Sequence, residues 1–263
     1  VSDATTVTAV AGTRYVAING SDNDNNCLVA TQPCQTVAYA VAVAQPGDTL
    51  KLATATYTSP DINVEGRFLN INKNLTLSGG YTTTNWTVSD PAANPTILDG
   101  ENLGQIIYAN TPGITVTMEG LTLQQGTNNS LYFYDSRLIL SNSAVISSTG
   151  DGLYLYNSDG SHISNSRFAG NSSEGVICTN YNDNVTFDNN VIENNNNRGL
   201  YCGSYNHNLQ VTNNTIRNNN YNGLFISNDS DNVVVTNNTI YGNGWNGAYL
   251  GRNNDYMLVE GNS

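Results

Sequence analysis

Gly175-Val176-Ile177-Cys178, Gly199-Leu200-Tyr201-Cys202, Gly223-Leu224-Phe225-Ile226 and Gly247-Ala248-Tyr249-Leu250 are one phrase written four times, 24 residues apart. Gly152-Leu153-Tyr154-Leu155 precedes them at a spacing of 23. Inward and outward residues alternate with period two, which is the pattern of a half-buried strand and not of a helix. A second run recurs as Asn184-Val185-Thr186-Phe187, Asn208-Leu209-Gln210-Val211, Asn232-Val233-Val234-Val235 and Tyr256-Met257-Leu258-Val259. A third carries Phe168, Ile192, Ile216 and Ile240. Runs this short cannot bury an apolar face alone, so successive units must stack. Three strands and three corners close one coil, and successive coils then pair in parallel about 4.8 Å apart. The prediction is an all-β, single-stranded right-handed parallel β-helix, its hand following from the crossover rule.

The composition supports this reading. Asparagine supplies 44 of the 263 residues. Asn190, Asn214, Asn238 and Asn262 fall on one column of the coil, and Asn171, Asn195, Asn219 and Asn243 on another. Side-chain amides stacked in a column can donate and accept along it. Asparagine also tolerates the left-handed backbone of tight corners. A glycan-binding code is the other reading of these columns. The nine Asn-x-Ser/Thr triplets follow from composition and say little about glycosylation.

Three stretches differ in regularity within one continuous domain. Residues 1–47 read as an N-terminal arm and capping segment, 48–150 as irregular coils with long loops, and 151–263 as regular coils. In the first stretch, residues 7–10 and 14–18 read as strands and 20–26 as a polar loop. Residues 33–44 have helical spacing at Val37, Ala40, Val41 and Ala44, and Pro46-Gly47 ends them. Such a helix would plug the first edge of the stack against stray pairing. Coils begin at Asp48, with Thr49-Leu50-Lys51-Leu52, Leu75-Thr76-Leu77 and Ile114-Thr115-Val116-Thr117-Met118 as strands.

Charge and apolar content narrow the partners. Nine Lys plus Arg against 21 Asp plus Glu give a net charge of −12, which argues against nucleic acid. No apolar run is long enough for a membrane span. Few lysines, abundant Asn, Thr, Ser and Tyr, and four cysteines point to an extracellular or cell-surface location. The first residue is Val1, so a leader has been removed or the chain is a fragment. The last coil opens at Gly247 and by its period would run to about residue 270. The expectation is therefore that the native chain continues, or that identical subunits join end to end, with residues 1–10 as a possible strand-donating arm.

Arg14-Tyr15-Val16-Ala17, Gly20-Ser21, Cys27, Pro33-Cys34-Gln35-Thr36-Val37, Gly47-Asp48-Thr49-Leu50 and Thr56-Tyr57 resemble the N-terminal cap of secreted bacterial right-handed β-helix repeat proteins. Leu75-Thr76-Leu77-Ser78-Gly79-Gly80-Tyr81 through Asn85-Trp86, and Asn94-Pro95-Thr96-Ile97-Leu98-Asp99-Gly100, extend the likeness. Similar phrases occur in large surface proteins of filamentous bacteria such as Chloroflexota. The resemblance covers residues 14–126. It implies export and a surface role and carries over no catalytic residue.

Cys27 and Cys34 flank a short loop beside the cap, where an oxidising compartment predicts a disulfide. Cys178 and Cys202 share one inward position on adjacent coils, within bridging range yet pointing side by side. They read as free buried thiols. Metal ligation by two thiols without a nearby His is disfavoured.

No catalytic residue stands out. Should the chain be an enzyme on an acidic polysaccharide (a lyase, epimerase or hydrolase), His207, Asp183, Asp231, Arg198 and Glu174 are the candidates. Asp159, Asp183, His207, Asp231 and Asp255 share a column, where turn closure by short polar side chains is the plainer reading. Glu174 with Arg198 and Glu193 with Arg217 read as surface ion pairs across coils. Asp22 and Asp24 offer a weak Ca²⁺ loop without the Gly and Glu of a recognised one. No other cofactor is indicated. Outward aromatics are more informative: Tyr154, Tyr201, Phe225 and Tyr249 in strands, with Tyr205, Tyr221 and Trp245 near them. Stacked rings stabilise parallel strands, and an exposed row of flat rings also suits sugars. The expected function is an extracellular structural or adhesive β-helix: a stalk, adhesin or fibre subunit with affinity for polysaccharide. A polysaccharide-active enzyme and a glycan-binding module without structural role are the alternatives.

Overall fold

The computed structural model describes residues 11–58 and 66–263. The strand expected at residues 7–10 and the arm expected at 1–10 lie outside them. Three parallel sheets of 10, 8 and 8 strands run the length of the described chain. Sheet I extends from Thr13–Val16 to Leu258–Glu260, sheet II from Ala55–Thr58 to Thr239–Tyr241, and sheet III from Arg67–Asn70 to Ala248–Leu250. The chain visits them in turn. Thr186–Asp188 in sheet I leads to Val191–Glu193 in sheet II and Leu200–Cys202 in sheet III. Gln210–Thr212 then lies beside Thr186–Asp188, with Phe187 opposite Val211. This is the predicted parallel β-helix, and residues two dozen apart do overlie one another.

Strand boundaries depart from expectation in sheet I. Its strands begin at Thr186, Gln210 and Val234, not at the preceding asparagines. Asn184, Asn208 and Asn232 have φ of 60°, 57° and 56°, so they turn the corner that the strand follows. Inside the coil, Val176, Cys178, Leu200, Cys202, Leu224 and Ile226 are fully buried. The repeated glycine is required by close approach. A Cβ on Gly199 would lie 2.7 Å from both the Gly223 carbonyl oxygen and Asn219 Nδ2.

The asparagine columns are ladders. Asn190 Nδ2 donates to Asn214 Oδ1 at 3.1 Å, Asn214 to Asn238 at 3.0 Å and Asn238 to Asn262 at 2.9 Å. Asn171, Asn195, Asn219 and Asn243 are joined in the same way. A third column runs Ser158, Asn182, Asn206, Ser230, Asn254. Serine interrupts it, so the sequence pattern alone did not expose it.

The capping helix is shorter than predicted, spanning Val37–Val43, with Thr36 Oγ1 accepting from the Tyr39 N–H. Cys34 instead bridges to Val16 and is disulfide-bonded to Cys27. Val37, Ala40 and Val41 are buried over the first coil. Lys73 Nζ donates to the Val41 and Ala44 carbonyls at 3.1 and 3.0 Å, satisfying the helix C-terminus. Beneath it, Arg14 Nε meets Asp48 Oδ2 at 2.5 Å, both side chains buried. Burial opposes the charged Asp48. The Gly12 and Gln45 N–H groups and Arg14 outweigh it and hold the carboxyl below its usual range.

Candidate functional site

Sheet III turns a row of aromatic side chains outward on successive coils. Tyr108, Tyr132 and Tyr154 stack at 5.1 and 5.0 Å, with interplanar angles of 2° and 9°. Ile177 interrupts the row in register. It resumes as Tyr201, Phe225 and Tyr249, the last two stacked at 4.6 Å. A parallel row beside it holds Tyr134 on Tyr156 at 4.7 Å and Tyr181 on Tyr205 at 5.5 Å. Tyr221 and Trp245 pair at the opposite edge, 4.7 Å apart. Arg198 sits over Tyr201 and Phe225 at 5.0 and 4.9 Å.

This corrects the expectation of an exposed row of flat rings at Tyr154, Tyr201 and Phe225, whereas Tyr205, Tyr221, Trp245 and Tyr249 are exposed as expected. Parallel rings at this spacing cover each other's faces, so the stacked Tyr108, Tyr132, Tyr134, Tyr154 and Tyr156 are half-buried and offer edges and hydroxyls. Burial, with its tyrosine neighbours, raises the Tyr132 phenol. Trp245 is 68% exposed, and of the stacked rings Tyr181, Tyr205 and Tyr249 are exposed at 50%, 43% and 43%. The sequence reading missed Tyr108, Tyr132, Tyr134 and Tyr156, because coil spacing there is 24 then 22. The signal was present: Leu131-Tyr132-Phe133-Tyr134 and Leu153-Tyr154-Leu155-Tyr156 differ at one apolar position only.

The margin where the chain enters sheet III is charged. Glu174 Oε1 accepts from Arg198 Nη1 at 3.1 Å and Asn197 Nδ2 at 2.7 Å, and Ser173 Oγ donates to Oε2 at 2.5 Å. The Glu174 N–H donates to Asp151 Oδ1 at 3.0 Å. The glutamate side chain is only 7% exposed, so this is not the surface pair expected. Burial pushes the Asp151 carboxyl up to about 6, and the adjacent Glu174 charge adds to the rise.

His207 lies on the other margin. Asp183 Oδ1 accepts from the His207 N–H at 2.9 Å, and His207 Nδ1 accepts from the Asp231 N–H at 3.1 Å. Asp159 and Asp231 receive the next coil's N–H in the same way. The column thus closes corners, and His207 Nδ1 also lies 3.5 Å from Asp231 Oδ2. Tyr181, Tyr205, Asp183 and His207 frame a cleft of about 260 Å³. Strand Leu200–Cys202 separates Arg198 from His207, so the five residues considered for catalysis form two groups and do not converge.

Asp22 Oδ1 accepts from the Gln35 and Thr36 N–H groups at 2.7 and 3.2 Å, tying its loop to the helix start. Asp24 occupies a left-handed turn position, φ 48°. Among the described residues, no three His, Cys, Asp or Glu side chains gather as a metal cluster. Cys178 and Cys202 are free, buried and opposite each other, and burial raises the Cys202 thiol well above its ordinary range. No helix of the described residues is long and apolar enough to cross a membrane.

Residues 105–263 match the family model described as a right handed beta helix region. No curated protein matches the chain in sequence. Among solved structures, the chain is similar to the pectate lyase Pel9A at TM-score 0.63 and 17% identity, covering 89% of this chain and 64% of that one. It is similar to the A-module of the mannuronan C-5 epimerase AlgE6 of Azotobacter vinelandii at 0.57 and 18%, covering 86% and 69%. A mutant of the periplasmic alginate epimerase AlgG follows at 0.52 and 14%, covering 81% and 60%. At these identities the likeness is one of fold. The chain spans 60 to 69% of the length of those structures.

Proposed function

The chain belongs to the right-handed β-helix family, and on that premise we propose that it is an extracellular polysaccharide-binding protein, structural or adhesive in role, that holds an extended glycan along the outer face of sheet III. One observation carries the reading: the aromatic rows run parallel to the coil axis from Tyr108 to Tyr249. A rigid track of ring edges and phenol hydroxyls at coil spacing suits a linear polymer of repeating hydroxyls. The broadly exposed Trp245 and Tyr181 add ring faces for sugar stacking. The Cys27–Cys34 disulfide supports an oxidising compartment. The similar structures named as pectate lyase and mannuronan epimerase support a polysaccharide as ligand. Electrophoresis through gels containing dissolved polysaccharides tests this. At least one glycan should retard the protein, and the Tyr201→Ala/Phe225→Ala and Trp245→Ala variants should be retarded less. Equal retardation of all three would reject this face.

A second reading, an enzyme on acidic polysaccharide, is favoured by Asp151. A carboxyl poised near 6 beside a second carboxylate can give and take a proton at neutral pH. Chain cleavage or inversion on a panel of polyuronates, abolished in Asp151→Asn, would establish it. No turnover at any pH from 5 to 8 would leave the binding role alone.

A further inference from the structure

Sheet II carries a trough of about 690 Å³ that the binding face of sheet III does not use. Its floor is small: Thr122 lies opposite Ala144, Ala144 opposite Arg167, and Arg167 opposite Val191. Pro91 and Pro95, from the loop between sheets I and II, stand at one end. From Ile97, which pairs with Thr122, to Val191 is four coil steps, about 19 Å. One long wall presents Asn142, Asn165 and Asn189, the left-handed corner residues of successive coils. Asn165 and Asn189 are exposed, and Asn189 Nδ2 donates to Asn165 Oδ1 at 2.6 Å.

Arg167 is the charged residue among those lining this trough, its sign is opposite to that of the molecule, and it belongs to a cluster that continues beyond the trough. Arg167 Nη2 lies 2.8 Å from Glu193 Oε1, and Arg217 Nη2 lies 2.6 Å from Glu193 Oε2. Two guanidinium groups share one carboxylate that is 7% exposed, so the cluster keeps a net positive charge in a chain of net charge −12. The Arg167 side chain lines the trough and is 49% exposed. A guanidinium so placed can accept a second carboxylate in bidentate geometry.

We propose that this trough is a second saccharide site, taking the end of a short uronate chain whose carboxylate meets Arg167 and whose hydroxyls meet the asparagine amides. With the proline loop in the lining at one end, the trough suits a chain end better than the middle of a polymer. This goes beyond the sheet III reading and can fail independently of it, because the two faces share no residue.

Titration calorimetry with tetragalacturonate, and with cellotetraose as the neutral tetramer, tests it. The acidic tetramer should bind, and the neutral one at least tenfold more weakly. Arg167→Gln should reduce affinity at least tenfold, and Ala144→Trp, which fills the floor, should abolish binding. The Tyr201→Ala/Phe225→Ala variant should bind the tetramer as the parent does. No binding, equal binding of both tetramers, or loss only in the sheet III variant would each overturn the proposal. Melting curves identify a misfolded Ala144→Trp, in which case Arg167→Gln and the neutral tetramer decide.

Discussion

Asn214 shows what one residue does in this fold. Its Oδ1 accepts from the Asn190 N–H at 2.9 Å and Asn190 Nδ2 at 3.1 Å, while its Nδ2 donates to the Phe187 carbonyl at 2.9 Å and Asn238 Oδ1 at 3.0 Å. All of this is buried, and each orphaned group costs about 1–3 kcal/mol. Asn214→Ala should therefore lose about 3 kcal/mol or more in urea unfolding. Its neighbour Asn213 is exposed with φ 59°, so Asn213→Gly should change stability by less than about 1 kcal/mol. Adjacent asparagines thus have different work, one in the ladder and one in the corner, which sequence columns do reveal. Chemistry at Asp151 was not legible, because the burial that raises its carboxyl arises only once the coils pack. Asp151 has a folded pKa near 6, above the roughly 3.9 of an unfolded chain. The folded state then binds the proton more tightly, so stability falls as pH rises from about 4 through 6. Asp151→Asn should raise the melting temperature relative to the parent above pH 6 and not below pH 4; an unchanged difference across that range would reject the shift.

At the scale of elements, the cap rests on polar groups. Asp48 joins three segments, accepting from the Gly12 and Gln45 N–H groups at 2.6 and 2.8 Å and pairing with Arg14. Removing one member of a buried pair strands the other, so Asp48→Ala should cost about 3–5 kcal/mol. Because the folded Asp48 pKa is depressed, its contribution is full above about pH 4, the unfolded value, and is lost as pH falls through the folded one. Thermal melts of parent and variant should converge in acid. The element pattern was legible wherever the period held. In the later coils, Gly199 and Gly223 mark a close approach that no side chain can fill. In the earlier coils, Tyr132 and Tyr154 are 22 apart, so a 24-residue period does not align them, although strand pairing is unaltered. A coil closes by geometry, and its corners absorb one or two residues that a fixed sequence period cannot.

For the whole molecule, stacking makes one axis special: side-chain positions repeat along it at the coil rise. That axis separates the two binding proposals, since the sheet III track runs along it while the sheet II trough has Pro91 and Pro95 in its lining at one end. From Tyr108 to Tyr249 there are six pairing steps in sheet III, about 29 Å. A glycan bound along this track gains contacts with each added sugar until it spans that distance. Affinity measured over a length series of one retained polysaccharide should therefore rise with chain length and level off once the oligomer reaches about 29 Å. In the sheet III variant Tyr201→Ala/Phe225→Ala the rise should stop earlier, because only Tyr249 remains of the second half of the row. An affinity that is flat from the shortest oligomer upward would place binding at a single point such as Trp245 and remove the track. The distinction rests on register alone: rings that stack coil upon coil act as one surface, whereas an isolated exposed ring binds one sugar whatever the length of the chain attached to it.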